Sequence, residues 1–153
     1  MRNHFQKIKI AAAALLLVSF FSPISSCSYT VPLDLGSEES SSAPNDALKE
    51  ERTVTFRASE YLELGEVGSW VNLLAFTWPF FLVGLQLKYR GGLAKILFPS
   101  VGVLFSLMSA AVIGAWSIGV GKPLIGAWAG WLASAALFVV FLAELMDGMR
   151  RKL

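Results

Sequence analysis

Residues 96–118 read Ile-Leu-Phe-Pro-Ser-Val-Gly-Val-Leu-Phe-Ser-Leu-Met-Ser-Ala-Ala-Val-Ile-Gly-Ala-Trp-Ser-Ile, 23 positions without one charged side chain. A stretch that long and that apolar is a membrane-spanning helix, because about 20 residues at 1.5 Å each cover the ~30 Å hydrocarbon core. Two more stretches of this kind flank it. Residues 70–87 have only Asn72, Thr77 and Gln86 as polar side chains, and residues 124–143 carry no charge. A helix satisfies its own backbone groups, so three such runs joined by short loops describe helices in lipid. The expected fold class is an all-α membrane protein with three transmembrane helices, over about 70–87, 96–118 and 124–143. An N-terminal signal segment and a flexible extracytoplasmic linker precede them.

Pro79 interrupts the first of these spans. It cannot donate to the carbonyl of Ala75, so a kink is expected there. Spans two and three carry small residues at every fourth position: Gly102, Ser106, Ala110 and Gly114, then Gly126, Gly130 and Ser134. That spacing puts each set on one helix face, and close backbone approach at small residues drives helix association in lipid. The two spans are therefore expected to form a tight antiparallel hairpin. Counting outward from Gly121 sets Gly114 near Trp128, and replacing Gly130 by Leu should part the helices.

Charge orients the spans. Lys88, Arg90 and Lys95 lie between spans one and two, and Arg150, Arg151 and Lys152 follow span three. The connection 119–123 holds only Lys122. The positive-inside bias then places loop 88–95 and the basic tail 147–153 in the cytoplasm, and the segment before span one outside. Trp70, Trp116 and Trp128 fall towards the outer ends and Tyr89 at an inner end, as interfacial anchors do.

The N-terminal 26 residues have a different pattern. Residues 1–9 are polar and basic, Ile10–Phe21 is an apolar run broken only by Ser19, and Pro23 and three serines follow. This is the three-part layout of a secretory signal. Twelve helical residues reach only about 18 Å, short of a bilayer core. The tetrad Ile24-Ser25-Ser26-Cys27 resembles the lipobox of bacterial lipoprotein precursors: an aliphatic residue at −3, small residues at −2 and −1, then cysteine. Leucine is the favoured −3 residue, where this chain has Ile24. The resemblance covers residues 1–27. It implies cleavage between Ser26 and Cys27 and a covalent lipid, such as diacylglycerol or palmitate, on Cys27, the only cysteine. Cleavage nearby by an ordinary signal peptidase, or an uncleaved anchor, are the alternatives. Ser28 resembles an outer-membrane sorting signal, yet three spans should hold the chain in the bacterial cytoplasmic membrane.

Residues 27–69 are expected to be an acidic, largely flexible extracytoplasmic segment. From 28 to 69 there are nine acids against Lys49, Arg52 and Arg57, and the tract 36–46 is small, polar and Pro-containing. Thr53–Arg57 alternates like a strand but needs a pairing partner. Ser59–Val67 reads as a short helix with Ser59 as N-cap.

The composition narrows the function. Removing residues 1–26 leaves ten basic and eleven acidic side chains, no histidine and no basic patch for nucleic acid. There is no metal-spaced cluster, phosphate loop or nucleophile–base pair; Lys122-Pro123 lacks the Ser/Thr of a P-loop. No catalytic residue, metal site or cofactor is assigned beyond the lipid on Cys27. Glu144 and Asp147 read as interfacial carboxylates, with Asp147 able to pair along its helix with Arg150 or Arg151. No ionisable group lies inside the three spans, which argues against a proton relay. The expected role is a small membrane-embedded lipoprotein, a structural or accessory interaction subunit. Its partners are membrane lipid and another membrane protein or a second copy. The alternative is a homo-oligomeric transport or channel component, with Asn72, Pro79 and Gln86 lining a pathway.

Overall fold

A computed structural model describes residues 2–32, 49–61, 66–89, 93–119 and 121–150. Four long helices form a ring, α1 Arg2–Phe21, α2 Val67–Lys88, α3 Ala94–Gly119 and α4 Ile125–Arg150. Each packs on two neighbours, α1 on α2 and α4, α3 on α2 and α4; the α3–α4 contact is the most extensive and α1–α4 is next. All four are long and apolar enough to cross a membrane. The three expected spans thus become four candidates. The fourth is the segment read as a removable signal. The apolar run Ile10–Phe21 is short, but the helix continues through the polar residues before it, reaching 20 residues, about 30 Å.

The other helices exceed their expected bounds by a few residues at most ends. The exception is α4, which runs on from Ala143 through Glu144 and Asp147 to Arg150. The core lies at the centre of the ring. Leu16 and Phe20 of α1, Phe76 and Trp78 of α2, Ile113 of α3, and Leu137 and Phe141 of α4 are all buried. The Trp78 ring stacks on Phe105 at 5.6 Å and meets Phe141 at 5.8 Å; Phe20 meets Phe76 at 5.2 Å. Large apolar side chains such as Phe81, Leu104, Leu132 and Val139 face outward, as lipid-facing residues of a bundle do.

One end of the ring carries a three-stranded antiparallel sheet, in the order β2 (Lys49–Arg57), β1 (Pro23–Pro32), β3 (Lys122–Pro123). Thr53–Arg57 does form part of a strand. Its partner is the stretch just after the apolar run: Cys27 pairs with Val54 and Ser28 with Thr53. Residues 28–32 and 49–57 are therefore ordered strand rather than linker. The tract 36–46 lies outside the described residues. The helix expected from Ser59 is a single 3₁₀ turn, Ala58–Tyr61, and residues 62–65 lie outside the described set. Gly121 is needed where β3 joins the sheet, because a Cβ there would collide with the carbonyl oxygen of Ser26.

Candidate functional site

Two polar centres stand at opposite ends of the ring. The first is built by Lys9 of α1. Its aliphatic stem emerges into the core, leaving the side chain 2% exposed, and its Nζ lies 2.6 Å from the Glu144 carboxylate of α4. Nζ also donates to Oε1 of Gln86 of α2 at 2.7 Å and sits 4.6 Å above the centre of the Phe141 ring. A buried ammonium demands this many partners, since an unpaired charge in an apolar interior is very costly. Glu144, expected as an interfacial carboxylate, thus pairs with Lys9 of the neighbouring helix α1. The knot ties three helices at the end where α2 and α4 finish and α1 and α3 begin. Lys9 was discounted in the sequence as part of a segment to be removed. The signal that marked it was its position, the last charge before twelve apolar residues.

Within the ring Ser19, Trp78 and Ser109 bond helix to helix, while Thr77, Ser106 and Ser117 bond back to their own helices. Ser19 donates to the Gly126 carbonyl at 2.6 Å. The Ala75 carbonyl, freed by Pro79, accepts a 2.5 Å hydrogen bond from Ser109 of α3, and the Trp78 indole donates to the same hydroxyl oxygen at 2.8 Å. A neighbouring serine replacing the lost backbone donor is the means by which membrane helices tolerate proline.

The small-residue stripes divide. A Cβ on Gly102 would meet the Phe141 ring at 2.5 Å, and one on Gly130 would meet Ile113 and Ser19 at 2.7 Å. These two glycines let α4 approach α3 and α1. Ser106 is buried and bonds back to the Gly102 carbonyl; Ala110 is half-buried; Ser134 is buried with its Oγ unpartnered among the described residues. Gly126 packs on Pro23 and Ser22 at the α1–β1 junction, rather than on α3. Gly114 has open space where its side chain would be, so the stripe on α3 stops short of the sheet.

The second centre is a cleft of about 670 Å³ at the end that carries the sheet, between the 3₁₀ turn, the start of α2 and the end of α3. Val71, Val112 and Trp116 form apolar walls, and Glu60, Glu66 and Asn72 are its acceptors. Asn72 is 4% exposed. Its Nδ2 donates to the Ala58 carbonyl at 3.1 Å, and its Oδ1 has no partner among the described residues. Glu60 is half-exposed and lies 3.4 Å from Arg57. Asn72 was expected to line a pathway along the spans; it lines this cleft at their rim.

Ser26 and Cys27 lie in the central strand. Ser26 faces Thr55 of β2 and Lys122 of β3, Ile24 and Ser25 are buried, and the Cys27 thiol is half-buried. Among the described residues no group of His, Cys, Asp and Glu is placed to hold a metal ion. Comparison with protein-family models, with curated proteins and with solved structures finds no match to this chain.

Proposed function

We propose that this chain is a four-span integral membrane protein that keeps its first helix and acts as a structural or accessory interaction subunit, presenting its sheet outside the cytoplasmic membrane. The observation that carries the function is the edge strand β2. Among the described residues it pairs only with β1, and Arg52, Thr53, Val54 and Thr55 are all exposed along it. A sheet edge with exposed backbone is a template for a partner strand. The ring beneath is a rigid platform, its helices joined by the bonds of Lys9, Ser19 and Ser109. A photo-crosslinking residue at Thr55 should give adducts in native membranes with a membrane protein or a second copy. The same residue at Lys88, at the opposite end, should not. Equal adducts from both positions would reject the edge-strand reading.

Retention of α1 rests on the Lys9 knot and on the burial of Leu16, Phe20 and Ile24. Cutting before Cys27 would strip a quarter of the ring and leave Glu144 facing an apolar groove. The lipoprotein reading stands as the second proposal, favoured by the place of Cys27, half-buried and just beyond an apolar helix. Intact mass separates the two. The uncut chain is 16.6 kDa, whereas processing removes 26 residues and adds lipid to Cys27.

A further inference from the structure

We propose that the cleft at the sheet end is a binding site for the protonated primary amine of a membrane lipid headgroup. The lining is one-sided in its chemistry. The Glu60 and Glu66 carboxylates and the Asn72 Oδ1 are all acceptors, and among the described residues no lysine or arginine lines the cleft, although Arg57 lies 3.4 Å from Glu60 at its edge. Two carboxylates at a mouth would by themselves be an ordinary solvated surface. Asn72 makes the difference: a buried amide oxygen without a partner among the described residues is a cost the fold does not recover internally. A primary ammonium brings three N–H donors, enough to satisfy that oxygen and both carboxylates at once. A trimethylated amine brings none.

The walls specify what the amine is attached to. Val71, Val112 and Trp116 offer apolar surface to a methylene chain, and an indole is the best aromatic partner for a cation. The volume is that of an ordinary small-molecule site. It lies where α2 begins and α3 ends, level with Trp70, whose half-exposed indole is suited to the headgroup layer. The α2–α3 contact is much less extensive than α3–α4, so this corner of the ring is open to the surrounding lipid. An aminophospholipid meets all of these conditions.

The proposal rests on the membrane reading, which extraction of the native membrane with alkali tests separately: a chain released by alkali rejects insertion. For the site itself, the full-length protein is held in bilayer discs containing equal amounts of phosphatidylethanolamine, phosphatidylcholine and phosphatidylglycerol with matched chains. Retained lipid is then read by native mass spectrometry. Phosphatidylethanolamine should exceed the other two by about tenfold, the value of one charge-assisted hydrogen bond. Glu66→Gln should reduce that preference to less than about threefold by removing one of the charges. Glu66 is exposed and makes no side-chain cap to α2, so the variant should fold. Gly68→Leu, at a position with open space beside it, should fill the cleft and lower retention of all three lipids. Equal retention of phosphatidylethanolamine and phosphatidylcholine by the parent chain overturns the proposal, as does an undiminished preference in both variants. Saturable binding of dodecylamine without any headgroup preference would assign the cleft to a free amine and overturn the lipid source.

Discussion

Ser109 shows how much one hydroxyl can hold in this ring. It donates to the carbonyl that Pro79 leaves unpaired and accepts from the Trp78 indole, so two polar groups depend on it. Ser109→Ala keeps the space filled but orphans both partners in the buried core. The expected loss is about 2–4 kcal/mol, one desolvated group each, seen as a lower thermal midpoint in detergent. Ser106→Ala, which removes only a bond back to its own helix, should cost well under about 1 kcal/mol. The orphaned Ala75 carbonyl was legible from Pro79 alone. Its donor was not, because a serine on another helix gives no local sign of what it faces, and the four-residue stripe pointed to Ser106 instead. Lys9 makes the same point with charge. Lys9→Met strands the Glu144 carboxylate beside Phe141, and about 3–5 kcal/mol should be lost. Lys9→Met combined with Glu144→Leu should recover most of that loss. Equal destabilisation by the single and the double variant would show that the pair contributes packing and not charge compensation.

At the scale of the elements, α2, α3 and α4 were legible because uncharged runs of 18 residues or more leave no alternative in water or in lipid. The strand β1 was not. Pro23–Pro32 contains two prolines and four serines or threonines, and its pairing with β2 joins residues 17 or more positions apart, a separation that no local pattern reports. The hairpin of α3 and α4 was legible in register: the count from Gly121 puts Ile113 opposite residue 129, and Ile113 touches the position beside it, Gly130. Which small residues touch was not legible, since both ends of a four-residue stripe look alike in sequence. The two classes separate by experiment. Gly130→Leu drives a side chain into Ile113 and Ser19 and should destabilise by about 1–3 kcal/mol through overpacking. Gly114→Leu enters open space and should shift stability by no more than about 0.5 kcal/mol. Matching effects from the two would place α3 and α4 differently from the packing described above.

For the whole molecule, the ring gives charge a direction. The end tied by Lys9 exposes Lys7, Lys88, Lys95 and Arg150 against Asp147, while the other end carries the sheet and exposes Glu60 and Glu66 beside Arg52, Arg57 and Lys122. If all four helices span, the positive-inside bias would put both termini in the cytoplasm. Three spans after a cut signal leave the same loops on the same sides, so charge counting cannot distinguish them; an N-terminal signal and an N-terminal anchor share a basic start and an apolar run. They differ in one covalent bond, between Ser26 and Cys27, and the single thiol reports on it. On intact cells a membrane-impermeant maleimide should label Cys27, which is half-buried in the sheet, and the labelled chain should carry the mass of all 153 residues plus one adduct. In a Cys27→Ser background, a cysteine at Thr55 should label from outside and one at Lys7 only after permeabilisation. A Lys7 cysteine absent from the membrane-bound chain, together with a Cys27 that resists the reagent in the parent, would establish cleavage and acylation. The ring would then have formed without α1, and Glu144 would need a partner from another molecule.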